Sequence, residues 1–108
     1  AHRILVTGSR DWDDAKTIAE TLKYEFIINN RNKNMILVTG ACPTGADLLA
    51  EQAWHAQGFA IEHHSNCVID LNLHVCWAFL RNDSPGTLRC IEQVKKAGIP
   101  VFIERYRY

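Results

Sequence analysis

No charge of one sign predominates in this chain: twelve Lys and Arg balance twelve Asp and Glu over 108 residues, and no basic run stands out. Without that electrostatic footprint, general binding to nucleic acid or to an anionic membrane is not expected, although a local basic side chain can still hold a single phosphate. No apolar stretch reaches the ~18 residues of a membrane span, and the first residues lack the basic, apolar and small segments of a signal peptide. A cytoplasmic protein without a membrane partner is therefore expected. The four cysteines, Cys42, Cys67, Cys76 and Cys90, form no C-x-x-C pair, which argues against a zinc knuckle or a dithiol redox site and suits free thiols in a reducing compartment. Cys76 and Cys90 read as core filler, whereas Cys42 stands in a glycine-bearing loop. No metal site is expected: His63 and His64 are adjacent in a strand and would point to opposite faces.

What the sequence does contain is an alternation of apolar runs and amphipathic segments, with 47% hydrophobic residues in a length that suits one domain. Strand-like runs fall at Ile4 to Val6, Ile36 to Val38, Phe59 to Glu62, Val75 to Phe79 and Val101 to Ile103, and several are continuous, as strands covered on both faces should be. Between them lie helical patterns. Ile18, Leu22 and Phe26 recur every fourth residue from Ala15 to Ile28, after Asp13 and Asp14, either of which suits an N-cap. Ala46, Leu49, Ala50, Ala53 and Trp54 form one stripe, followed by Gly58; a last helix is expected over about Thr87 to Ala97, with Lys95 and Lys96 at its negative end. The pattern predicts an α/β fold of Rossmann-like type: an open, mainly parallel sheet of about five strands with helices on both faces, built as a single domain over residues 1–108. A chain this small has little core to spare, so docking against a second copy in a homo-oligomer is expected to help.

The third crossover is too short. About ten residues, His63 to Asn72, join the third strand to the fourth, whereas a parallel crossover usually takes a dozen or more. We therefore expect a loop to be missing between His64 and Ser65.

Ligands of open parallel sheets bind beyond the carboxyl ends of the strands, and three loops of this sequence end there. In Thr7-Gly8-Ser9-Arg10-Asp11-Trp12, Gly8 allows close backbone approach, Ser9 can donate a hydrogen bond and Arg10 can pair with phosphate; the alternative for Arg10 is a structural ion pair. Thr39-Gly40-Ala41-Cys42-Pro43-Thr44-Gly45-Ala46-Asp47 brings two glycines and two threonines to a helix N-terminus, a natural anion site. It is neither a Walker loop nor G-x-G-x-x-G. Asp47 can accept from a ribose hydroxyl or simply complement the helix dipole. Arg81-Asn82-Asp83-Ser84-Pro85-Gly86-Thr87 repeats the pairing of flexible backbone and hydroxyl at Gly86 and Thr87. Of the tryptophans, Trp12 lies in a site loop and could stack on a base, while Trp54 and Trp77 read as core. No catalytic constellation can be assembled.

These residues also carry a family resemblance. The opening Arg3 to Trp12, the stretch Leu37 to Ala41 with Gly45-Ala46-Asp47 and Ala50-Glu51, Trp77-Ala78-Phe79 with Gly86-Thr87, and Ala97 to Val101 resemble the YspA, cpYpsA-related family of the SLOG superfamily, found in bacteria and their phages. The resemblance implies a Rossmann-like fold and a pocket for a small nucleotide-like ligand: a nucleotide, ADP-ribose or an NAD-derived molecule, with no certain cofactor. Carried over by position, Gly8, Ser9, Arg10, Gly40, Gly45, Asp47, Gly86 and Thr87 fall on the family's motifs, and Thr39 and Thr44 join them as loop hydroxyls. The expected setting becomes the cytoplasm of a bacterium or of a phage's host. Phosphoribohydrolase relatives carry a glutamate three positions after the corresponding threonine; here that position is Cys90, and the nearest acid is Glu92. The readings left by the sequence are binding or sensing of a nucleotide derivative, cleavage of a nucleotide N-glycosidic bond with Glu92 or an acid of the absent loop, and a module contacting single-stranded DNA or protein.

Overall fold

The computed structural model of the chain describes residues 2–40, 44–63 and 72–106. In chain order the elements are β1 (His2–Gly8), α1 (Ala15–Ile28), β2 (Met35–Thr39), α2 (Gly45–His55), β3 (Ala60–His63), β4 (Val75–Leu80), α3 (Pro85–Lys96) and β5 (Val101–Arg105). The five strands form one all-parallel sheet in the order β3-β2-β1-β4-β5. This is the expected open α/β fold.

Local chemistry sets the boundaries of these elements. Asp14 caps α1 by accepting the Thr17 N–H at 3.1 Å and the Thr17 hydroxyl at 2.5 Å, and those bonds hold its carboxyl below the ordinary value. Helix α3 begins two residues before the expected Thr87, because Pro85, which has no N–H to leave unsatisfied, occupies the first turn.

Alternation along the strands sorts the core into two layers. Ile4, Val6, Leu37, Val75 and Phe79 face α1 and α2, where they meet Ile18, Leu22, Ala50 and Trp54. On the opposite side Leu5, Val38 and Cys76 meet Cys90 and Val94 of α3. Apolar residues on both faces explain why the strands read as continuous hydrophobic runs. Trp54 is almost fully buried, with its indole N–H donating to the Ala60 carbonyl at 2.9 Å; truncation to alanine would cost about 3–5 kcal/mol. Trp77 departs from its expected place in the core. It is only half-buried, stacks on Phe102 at 4.8 Å and donates its indole N–H to the buried Glu25 carboxylate at 2.6 Å.

The free-thiol expectation also divides. Cys76 is free and buried, which pushes its thiol up to about 12, but Cys90 enters a disulfide. The junction at His64 and Ser65, and with it the expected missing loop, lies outside the described residues.

The strand order also fixes the place of the site. β1, β2 and β3 step outward in one direction, and β4 then returns to the other side of β1. The loops after β1 and β4 therefore part company, leaving a crevice at the carboxyl edge between neighbouring strands.

Candidate functional site

A cleft of about 540 Å³ opens at this crevice. Its base is the end of β1 and β2, with Leu5, Val6 and Val38, and Cys90 of α3 contributes to the same wall. Around the rim stand Gly8, Arg10 and Asp11 after β1, Thr39, Gly40 and Asp47 on the way into α2, and Arg81, Asn82, Ser84, Gly86 and Thr87 on the way into α3.

Ser9 ties two of the three loops together. Its N–H donates to the Phe79 carbonyl at 2.9 Å, its Oγ accepts the Arg81 N–H at 2.8 Å, and its hydroxyl donates to the Arg81 carbonyl at 3.1 Å. The Ser9 carbonyl then accepts the N–H groups of Trp12 and Ala46, each at 3.2 Å. The N-terminus of α2 is thus closed against the β1 loop. Gly45 makes that approach feasible: its φ is +73°, and a Cβ there would stand 2.3 Å from the Ser9 carbonyl oxygen and 2.6 Å from the Arg10 backbone. A Cβ on Gly8 would likewise meet Ala46 Cβ at 2.5 Å and the Phe79 carbonyl oxygen at 2.6 Å. Ser9, Thr44 and Gly45 are accordingly absent from the cleft lining, whereas Gly8, Arg10, Thr39, Gly40, Asp47, Gly86 and Thr87 belong to it.

Helix α3 presents the opposite arrangement. Its N-cap, Ser84, makes no side-chain cap bond, and the first backbone closure is Leu88 N–H to the Ser84 carbonyl at 3.0 Å. Among the described residues, the N–H groups of Gly86 and Thr87 have no backbone acceptor, and a Cβ added at Gly86 would meet nothing within 4 Å. Two amides at the positive end of a helix thus face an open cleft.

The arginines divide the work. Arg81 is held in place by the Asp11 carbonyl at 2.9 Å, the carboxylates of Asp11 and Asp13 at 3.8 Å each, and the Tyr106 ring, which lies 4.1 Å beneath its guanidinium. Tyr106 in turn donates its hydroxyl to Asp13, and that bond raises the phenol above its ordinary value. Arg10, by contrast, makes no ion pair among the described residues, so the structural ion pair considered for it belongs to Arg81.

Two expectations for the site need correction. Trp12 cannot stack on a ligand base, because it is 3% exposed and set edge-on against Phe79 and Tyr106 at 5.3 and 5.2 Å. Glu92 is exposed on α3 and absent from the cleft lining. The Thr39 hydroxyl donates to Glu51 at 3.0 Å, and Glu51 also pairs with His63. Asp47 is 7% exposed in the first turn of α2. Ala41, Cys42 and Pro43 lie outside the described residues. Arg81, Asn82 and Ser84 join the cleft without having been singled out by sequence; the loop's position after a strand was the available signal.

Fold and cleft together define an open parallel α/β domain of Rossmann-like type, with its crevice at the topological switch point. The chain belongs to the YspA, cpYpsA-related SLOG family, which matches residues 2–68. It is also similar to the Gene 61 protein of Mycobacterium phage D29, at 31% identity over 119 aligned positions that span 92% of this chain and 93% of that protein. The aligned span exceeds the 108 residues of this chain, so the phage protein carries residues with no counterpart here. No solved structure matches significantly. Family membership points to a nucleotide-related ligand-binding or ligand-modifying role. No helix among the described residues is long and apolar enough to cross a membrane.

Proposed function

We propose that the cleft binds or senses a nucleotide or nucleotide-derived ligand, of which ADP-ribose and NAD-derived molecules are the leading chemical types. One observation carries this reading: the acceptor-free amides of Gly86 and Thr87 share a cleft with Arg10, which has no ion-pair partner among the described residues. A helix N-terminus and a guanidinium are both suited to phosphate oxygens. We place the anion at α3, since among the described residues of the second loop the Ala46 amide is already bonded to Ser9. Asp47, on the other wall, accepts from a ribose hydroxyl. The volume is in the ordinary range of small-molecule pockets.

Binding is favoured over cleavage of the N-glycosidic bond because Glu92, the acid closest in sequence to the catalytic position, lies outside the cleft. Calorimetric titration with AMP, ADP-ribose and NAD tests the proposal. Saturable binding by at least one of them, weakened by Arg10→Ala, is expected; no heat from any of the three at millimolar ligand would overturn it.

A further inference from the structure

The sheet has two edges, and they differ. β3 exposes Ala60 and His63 and carries Glu62, which is paired with Arg3. β5, at the other end, opens with three apolar residues, Val101-Phe102-Ile103, and has β4 as its sole neighbour among the described strands. Phe102 is 49% exposed and Ile103 36% exposed. An apolar edge strand lacking lysine, proline or a bulge in its leading residues is a template for pairing.

Hydrogen bonding shows which backbone groups are on offer. Pro100 accepts the Cys76 N–H with its carbonyl at 2.9 Å, and the Tyr106 N–H donates to the Leu80 carbonyl at 2.9 Å. Even-numbered residues of β5 therefore turn their polar groups to β4, and Val101, Ile103 and Arg105 turn theirs to the free edge.

We propose that β5 pairs antiparallel with β5 of a second copy of this chain, about a two-fold axis at Phe102, to make one continuous ten-stranded sheet. In this register Val101 lies opposite Ile103 of the second copy, and the same pair recurs on the other side of the axis. Both residues present outward N–H and C=O groups, so the two pairs form four backbone hydrogen bonds. Phe102 meets its own counterpart at the axis, extending the row already formed by Tyr24, Trp77 and Phe102, whose rings follow one another at 6.4 and 4.8 Å.

Registers further along the strand are worse. An axis at Ile103 sets Phe102 against Glu104 and Val101 against Arg105, and an axis at Glu104 sets two carboxylates face to face. Of these three axes, only the one at Phe102 puts apolar on apolar along the leading half of the strand, and an axis at Val101 would set Phe102 and Ile103 against Pro100 and Ile99, which precede the strand. That self-complementarity is what selects a second copy as the occupant.

Light scattering after gel filtration at tens of micromolar is expected to give twice the 12.3 kDa of the chain. Ile103→Pro removes an outward N–H without touching the β4 ladder, so it should give a monomer with an unchanged circular dichroism spectrum. Phe102→Cys tests the register independently of that variant. Directly opposed residues fall within disulfide reach, so mild oxidation should cross-link Phe102→Cys between subunits, beyond any background in the parent chain, and leave Ile103→Cys uncross-linked. A parent chain that stays monomeric up to several hundred micromolar overturns the proposal. So does a dimer that survives Ile103→Pro while Phe102→Cys fails to cross-link.

Discussion

Two helix N-termini, those of α2 and α3, stand on the same rim of the sheet, each after a loop with glycine and hydroxyl residues, yet one is closed and the other open. At α2 the Ala46 amide is bonded to Ser9, and Gly45 lies so close to the β1 loop that no side chain fits. At α3 the amides of Gly86 and Thr87 lack acceptors among the described residues, and the space over Gly86 is empty. Similar motifs thus serve opposite ends. One glycine permits packing between loops, and the other borders open space.

The largest expected effect tests the closed side. Gly45→Ala places a Cβ in a left-handed conformation, worth about 1–2 kcal/mol, and against backbone atoms that cannot rotate away. A total loss of about 3 kcal/mol or more is expected in urea denaturation, or failure to fold. A variant as stable as the parent would show that the two loops are not locked.

Ser9→Ala comes next. It deletes a hydroxyl that accepts one Arg81 backbone bond and donates another, in a side chain only 1% exposed. The stranded Arg81 N–H should cost about 1–3 kcal/mol, with the m-value unchanged.

A third N-terminus, that of α1, calibrates the scale. It is capped by its own side chain, Asp14, so Asp14→Ala should cost about 1 kcal/mol. The hydrogen bonds from Thr17 hold the Asp14 carboxyl below its ordinary value. A depressed folded-state pKa means that this contribution is present above the unfolded value and lost as pH falls through the folded one. The difference between Asp14→Ala and the parent should therefore shrink in acid, below about pH 4.

Much of this architecture was legible in the sequence, for a physical reason. Strand and helix periods are local, as are the cap at Asp14 and the stop after α2, and all five strands fall where the apolar runs are. The site was legible only as three loops. Which groups remain open depends on partners far along the chain. The Ser9 hydroxyl is taken by Arg81, 72 residues away, and Trp12 is buried by Phe79 and Tyr106. Arg10 and Arg81 are chemically identical in sequence, and only the fold delivers Asp13 and the Tyr106 ring to the second of them. Pro85 was the one missed local signal, since proline in the first turn marks the start of α3.

The smallest expected change in stability is the sharpest test of the open side. Gly86→Ala adds a methyl with nothing within 4 Å and keeps the amide in place. Its backbone is not in the left-handed region, so folding should be unchanged or strengthened by about 0.5 kcal/mol. Arg10→Ala, with no ion pair to break among the described residues, should fall within about 0.5 kcal/mol of the parent. Affinity should move instead. The methyl at Gly86 occupies the approach to the amide, and loss of the guanidinium removes a charged hydrogen bond, so each variant should weaken nucleotide binding roughly tenfold or more. If Gly86→Ala destabilised the fold as much as Gly45→Ala, the N-terminus of α3 would be packed like that of α2. The contrast between the two helices, and with it the place assigned to phosphate, would be lost.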